Sequence, residues 1–158
     1  MSKVLVAYYS RTGNTEKMAQ AVAAGARSAG AEVVVKPIVE VTVEELTQFN
    51  GLIFGSPTYY GSMAWEMKRL FDESVALHGR LAGKVGGAFT SSANIGGGNE
   101  TTVLDILKAF LIHGMIVEGN AHGDHYGPVA IKAPDKRSTP QCEALGKRVA
   151  ELAWKLEG

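Results

Sequence analysis

The chain alternates, five times over, between a short apolar run and a stretch with helical spacing. Lys3–Tyr9 (KVLVAYY), Glu32–Ile38 (EVVVKPI), Gly51–Ser56 (GLIFGS), Lys84–Thr90 (KVGGAFT) and Met115–Glu118 read as strands. The first is apolar without alternation, as a strand covered on both faces should be. Between them lie helical patterns at Thr15–Ser28, Val43–Phe49, Met63–Val75 and Glu100–Ile112, and a last helix opens at Thr139-Pro140. Their inward stripes are predicted as Met18, Val22, Gly25 and Ala29; Met67, Leu70, Phe71 and Ser74; Val103, Ile106, Leu107, Phe110 and Leu111; and Cys142, Leu145, Val149, Leu152 and Leu156. Asn99 is predicted to cap the fourth helix. Strand–helix alternation of this kind builds a parallel sheet with helices on both faces. Right-handed crossovers and five strands favour the doubly wound order 2-1-3-4-5, with ligands bound beyond the carboxyl ends of the strands.

That rule directs attention to the loops after strands one, three and four, and these are the compositional outliers. They read SRTGNT, SPTYYGSM and SSANIGGGNE. Glycine is abundant, 19 of 158 residues, and much of it is clustered, which suits backbone brought close to a ligand.

The first loop runs into a helix N-terminus, where free N–H groups and a partial positive charge favour an anion. Gly13 lets the backbone fold close, and Ser10, Thr12, Thr15 and the Asn14 amide can donate to a phosphate. Arg11 faces either the anion or water. A plain turn capped by Asn14 accounts for the same residues. There is no G-x-x-x-x-G-K-[ST], so a P-loop is not expected, and no G-x-G-x-x-G after the first strand for tight dinucleotide binding.

The second loop sets Tyr59 and Tyr60 side by side after Pro57-Thr58 and before Gly61, a wall suited to a flat apolar ring. The third, Ser91 to Gly98, offers hydroxyls, the Asn94 amide and three successive glycines whose backbone can meet a ring's polar edge. Phosphate site, aromatic wall and glycine-rich clamp together point to a flat-ringed mononucleotide, FMN.

The same stretches resemble the flavodoxin superfamily, and within it the WrbA-type FMN-dependent NAD(P)H:quinone oxidoreductases. The resemblance is carried by KVLVAYYS, SRTGNT, FGSPTYYGSM with MKRLFDE, FTSSANIGGGNETT, and LIHGMIV followed by HYGPVAI. It implies a flavodoxin-like three-layer αβα sandwich. Ser10, Arg11, Thr12, Gly13, Asn14 and Thr15 would hold the FMN phosphate. Pro57, Thr58, Tyr59, Tyr60 and Gly61 would lie along the ribityl chain and ring. Ser91, Ser92, Ala93, Asn94 and Gly96, Gly97 and Gly98 would meet the ring's polar edge. The implied activity transfers two electrons from NADH or NADPH to a quinone-type acceptor, with Tyr59, Tyr60 and His125 shaping the acceptor pocket. A one-electron carrier is the alternative. Members of that branch often carry Arg where Tyr59 stands and His where Ile112 stands. Two insertions linked to tetramer formation are missing, between Val39 and Glu44 and between Asn120 and His122, so a homodimer or monomer is expected.

The remaining features narrow the class. Sixteen basic and sixteen acidic residues balance, with no basic patch for nucleic acid and no acid excess of the kind electron carriers use to dock. No apolar run reaches a membrane span, the start MSKVLVAYYS is no signal peptide, and a single cysteine, Cys142, fits a reducing compartment. A cytoplasmic single domain over residues 1–158, without membrane or nucleic-acid partners, is expected. His122-Gly123-Asp124-His125 has too few ligands for a metal. His113 is read as a helix-end residue, His78 as loop, and Cys142 as core packing.

Overall fold

A computed structural model describes residues 1–157. The elements run β1 (Lys3–Tyr8), α1 (Asn14–Ser28), β2 (Glu32–Pro37), β3 (Gly51–Pro57), α2 (Trp65–Glu73), β4 (Val85–Ser92), α3 (Asn99–Ile112), β5 (Ile116–Val117), β6 (Val129–Ile131) and α4 (Ser138–Glu157). The sheet is parallel throughout, in the order β2-β1-β3-β4-β5, as the loop and strand pattern predicts. A sixth strand, β6, had no counterpart in the sequence reading. It pairs with Thr90–Ser92 of β4, while β5 pairs with Val85 and Gly86 of the same strand. Since β3 covers the other edge of β4, β5 and β6 occupy one lane of the sheet, interrupted by the 118–128 loop.

Successive residues of β1 feed opposite cores, as the two-residue period of a strand requires. Val4, Val6 and Tyr8 pack under α1 and α4 with Met18, Val22, Leu145 and Val149. Leu5 and Ala7 pack under α2 and α3 with Phe54, Met67, Leu70, Ile106 and Phe110. Phe54 lies 5.0 Å from Phe110 and 5.6 Å from Phe71, ring centre to ring centre. On the other face α1 and α4 touch backbone to backbone. A Cβ on Gly25 would stand 1.9 Å from the Glu143 carbonyl oxygen, and one on Gly146 would stand 1.8 Å from that of Val22. That contact sets how α1, and therefore the loop feeding it, lies on the sheet.

Several boundaries differ from expectation. Val43–Phe49 becomes a 3-10 segment, Glu44–Gln48, and α2 starts at Trp65, after a tight turn at Tyr59–Ser62 and a non-helical Ala64 at the N-cap. The α2 pattern ends at Glu73 and continues as a 3-10 turn, Ser74–Leu77. Leu111 and Leu156, assigned to inner stripes, are exposed. Ala150 and Ala153 fill the α4 face instead, since the close approach to α1 favours small residues there. Asn14 and Asn99 cap nothing; the N-cap positions are Gly13 and Gly98, both left-handed at φ 94° and 106°.

Candidate functional site

The three outlying loops meet at the carboxyl ends of β1, β3 and β4 around a cleft of about 330 Å³. Ser10, Arg11, Thr12, Asn14, Thr15, Pro57, Thr58, Tyr59, Ser91, Ser92 and Ala93 line it, and Lys132 joins them. Gly13, Tyr60, Gly61, Asn94, Gly96, Gly97, Gly98 and His125 lie outside that lining, the first seven within the same three loops.

The first loop ends in an uncapped helix. No side chain bonds the first-turn N–H groups of α1, so they remain free donors at the mouth of the cleft. Ser10 Oγ accepts from the Gly13 N–H at 3.1 Å, which bends the loop back and leaves the Ser10 hydroxyl proton to donate. A left-handed residue ahead of a helix is the backbone shape that forms anion-binding concavities. Arg11 turns to the second loop: its guanidinium carbon sits 5.3 Å from the centre of the Tyr59 ring.

In the second loop, Tyr59 and Ser62 exchange backbone hydrogen bonds of 2.9 and 3.1 Å. Between them Tyr60 and Gly61 are both left-handed, at φ 49° and 79°, the geometry of a type I′ turn. Glycine adopts it freely; a tyrosine there is strained by about 1–3 kcal/mol. Its ring stands fully in solvent. Tyr59 is half-buried, edge-on to Tyr9 at 6.4 Å. Burial pushes its phenol pKa up, against the opposing pull of Arg11.

Three expected donors are committed to the frame. Thr90 Oγ1 donates to the Ser56 carbonyl at 2.7 Å, so the 2.9 Å contact between Thr58 and Thr90 is donated by Thr58. Ser91 Oγ donates to the Lys132 carbonyl at 2.8 Å, and Ser92 Oγ to that of Asn94 at 3.1 Å while accepting from Asn99. The free hydroxyls are therefore those of the first loop. The third loop is stapled to the second: Thr101 Oγ1 donates to the Gly61 carbonyl at 2.7 Å, and a Cβ on Gly98 would stand 2.4 Å from Gly61 Cα.

Lys132 was missed by sequence reasoning. It follows β6, and the three-residue run VAI is too short to announce a strand, let alone a side chain in a cleft.

His125 lies in the 118–128 loop with Nδ1 2.7 Å from the Asn120 carbonyl oxygen. Asp124 is taken by Arg137 at 2.8 Å and by the Val129 N–H at 2.9 Å. Among the described residues no group of three or more His, Cys, Asp or Glu is placed to hold a metal, and no helix is long and apolar enough to cross a membrane. His113 is the C-cap residue of α3, at the helix end as expected, but its ring meets a side chain rather than the terminal carbonyls. It is buried, with Nε2 2.7 Å from Ser74 Oγ. Cys142 is buried, its thiol pushed up to about 12 by desolvation, consistent with packing.

A second cavity, about 390 Å³, shares no lining residue with the cleft. It lies between the 38–44 segment and α2, with Trp65, Glu44, Glu66 and Glu73 in its wall.

Residues 6–109 match the family described as Flavodoxin. The chain belongs to the flavodoxin family. A protein of Aquifex aeolicus named Flavodoxin is 43% identical over 160 residues, covering 96% of this chain and 86% of its own. An NAD(P)H dehydrogenase (quinone) of Sinorhizobium fredii is 39% identical over 197 residues, covering 99% of both chains. One of Archaeoglobus fulgidus with the same name is 38% identical, covering 99% of this chain and all of its own. The longer alignments, set against 158 residues here, mean that these two relatives carry segments this flavodoxin-family chain lacks. Among solved structures, a WrbA-like flavodoxin from Agrobacterium tumefaciens superposes with a TM-score of 0.82 at 27% identity, over 98% of this chain and 99% of that one.

Proposed function

We propose that the cleft holds FMN and that the protein is an oxidoreductase carrying two electrons from NADH or NADPH to a quinone-type acceptor. The observation that carries this is the make-up of the cleft. An uncapped helix N-terminus ringed by hydroxyls opens onto an aromatic wall, and the charged lining residues, Arg11 and Lys132, are both cations. A carrier that docks on other proteins is expected to present carboxylates there instead. The two quinone-dehydrogenase relatives, aligned over their whole length, support the same reading.

Bound FMN would supply the electron chemistry, accepting a hydride from the nicotinamide and returning two electrons to the acceptor. The protein binds, orients and shields. Ser10, Thr12 and Thr15 donate to the phosphate beside the free N–H groups of Asn14 and the rest of the first turn of α1, while the Gly13 N–H holds Ser10 Oγ in place. Pro57, Thr58 and Tyr59 form one wall, and Ser91, Ser92 and Ala93 the other. Gly98, pressed against Gly61, sets the distance between the walls, and the backbone of Asn94, Gly96 and Gly97 extends the second. Tyr60, displayed on its strained turn, bounds the space left for the acceptor, a role that the family resemblance extends to His125 of the 118–128 loop. No side chain in the lining is placed as a general acid or base, and hydride transfer requires none. Without a dinucleotide fingerprint, the nicotinamide docks transiently.

The carrier reading is favoured by the Aquifex relative's name and by the carboxylates of Glu44 and Glu66 around the second cavity, where Arg69 is paired with Glu73 at 2.8 Å. The proposal is tested by titrating the protein with FMN and with riboflavin, then assaying NAD(P)H oxidation with benzoquinone. Tight binding of FMN over riboflavin, followed by turnover, is expected. Equal affinity for both flavins, or no turnover by an FMN-loaded sample, contradicts it.

A further inference from the structure

We propose that Lys132 tunes the electron affinity of the site, its ammonium group stabilising the negative charge that the flavin ring gains on two-electron reduction. The inference rests on the reading of the cleft as an FMN site and adds a residue to it.

Position separates Lys132 from the phosphate. The lanes of the sheet run β1, β3, β4, then β6, with neighbours about 4.8 Å apart. Lys132 follows the third of these steps, so its backbone is about 14 Å across the sheet from the strand that feeds the phosphate loop. It lines the same cleft from the opposite end. That end is where Ser91 and Ser92 stand, and Lys132 is tied to both. Its N–H donates to the Ser92 carbonyl at 2.7 Å, and its carbonyl accepts from Ser91 Oγ at 2.8 Å.

Its conformation is equally marked. Lys132 is left-handed at φ 62°, and Tyr60 is the other non-glycine residue with positive φ among those described. Both flank the cleft, and neither side chain is explained by packing. Lys132 is exposed and forms no salt bridge among the described residues. Arg11, the other cation, is engaged with the Tyr59 ring. The uncommitted positive charge of the cleft is therefore at the ring end.

The chemistry gives that charge a use. Hydride transfer moves two electrons and one proton from the reduced nicotinamide, which leaves as its cation, and one negative charge stays on the ring. A fixed cation beside the ring favours that state. The acceptor then takes the two electrons, with two protons, one from the ring and one from solvent.

The test uses full-length, FMN-loaded protein. Lys132→Asn and Lys132→Gly remove the charge while tolerating the left-handed backbone, and Lys132→Arg retains it. Midpoint potentials are measured against pH, together with the affinity for oxidised FMN. Both neutral variants should hold oxidised FMN as the parent does. They should bind the reduced form about tenfold more weakly, lowering the two-electron midpoint by about 30 mV. The pH at which the reduced ring ionises should rise in both, because an uncompensated negative charge forms less readily. Lys132→Arg should match the parent in each respect. Unchanged potentials and ionisation in both neutral variants, with FMN bound, overturn the role of Lys132 and leave the function standing. A parent chain that takes up no FMN overturns both. Reduction in two separate one-electron steps contradicts the enzyme reading alone, since the same variants still report the effect on the second step.

Discussion

Replacing Thr12 and Thr15 by valine tests the phosphate loop where the structure is most specific. Thr15 is buried at the start of α1 and Thr12 exposed on the loop before it, both lining the cleft beside an uncapped helix end. Valine keeps the shape and the β-branch and removes only the donor. A hydrogen bond to a charged group contributes about 1.5–3 kcal/mol, and each 1.4 kcal/mol is tenfold in affinity. Each single variant should therefore bind FMN about 10- to 100-fold more weakly, and the double variant about 10²- to 10⁴-fold. Fluorescence titration of the apoprotein measures this, with riboflavin as the ligand lacking a phosphate. The preference for FMN over riboflavin should shrink in step, while the urea midpoint stays near that of the parent. Thr58→Val is the contrast: its proton already goes to Thr90, so stability should fall by about 1 kcal/mol with little change in FMN preference. A folded double variant with unchanged preference for FMN would refute the assignment.

Gly98→Ala should lower stability and weaken FMN binding together, because the new Cβ is strained at φ 106° and would meet Gly61 Cα at 2.4 Å. Urea denaturation and FMN titration measure the pair, and a neutral result in both would show the loops to be uncoupled. His113 gives a pH dependence. Ser74 donates its proton to the Phe71 carbonyl at 2.6 Å, so His113 Nε2 carries the hydrogen in the 2.7 Å contact. Nδ1 is then buried without a partner. Burial, with His78 nearby, lowers the pKa from 6.5. The folded state thus binds this proton less readily than the unfolded chain. The stability is fully present above pH 6.5 and is lost as pH falls from there through the folded pKa. His113→Gln should flatten the acid side of a stability–pH curve, and an unaltered curve would contradict the lowering of the His113 pKa by burial.

The lanes of the sheet and the three loops were legible because buried parallel strands read as continuous apolar runs, and hydroxyl-rich loops stand out between them. Gly25 was legible as a core-facing residue, although its reason, contact with the Glu143 carbonyl across α4, is tertiary. β6 was not legible: three residues completing a lane that β5 begins have no period to detect. Lys132 was hidden with it. Asn99 as a cap, and the alternative of Asn14 as one, misled for a related reason. Asparagine is a preferred cap, but the left-handed glycines before them already turn the chain and leave the helix N–H groups free for a ligand. Arg11 could not be placed from spacing because its partner, Tyr59, comes from another loop.

The most direct test of two-electron chemistry is anaerobic mixing of FMN-loaded protein with NADH or NADPH while the flavin absorbance is followed, with benzoquinone added afterwards. The account predicts rapid bleaching in a single two-electron phase, fully reversed by the quinone. Absence of bleaching by either nicotinamide, with stepwise one-electron reduction by a chemical reductant, would contradict it and identify an electron carrier.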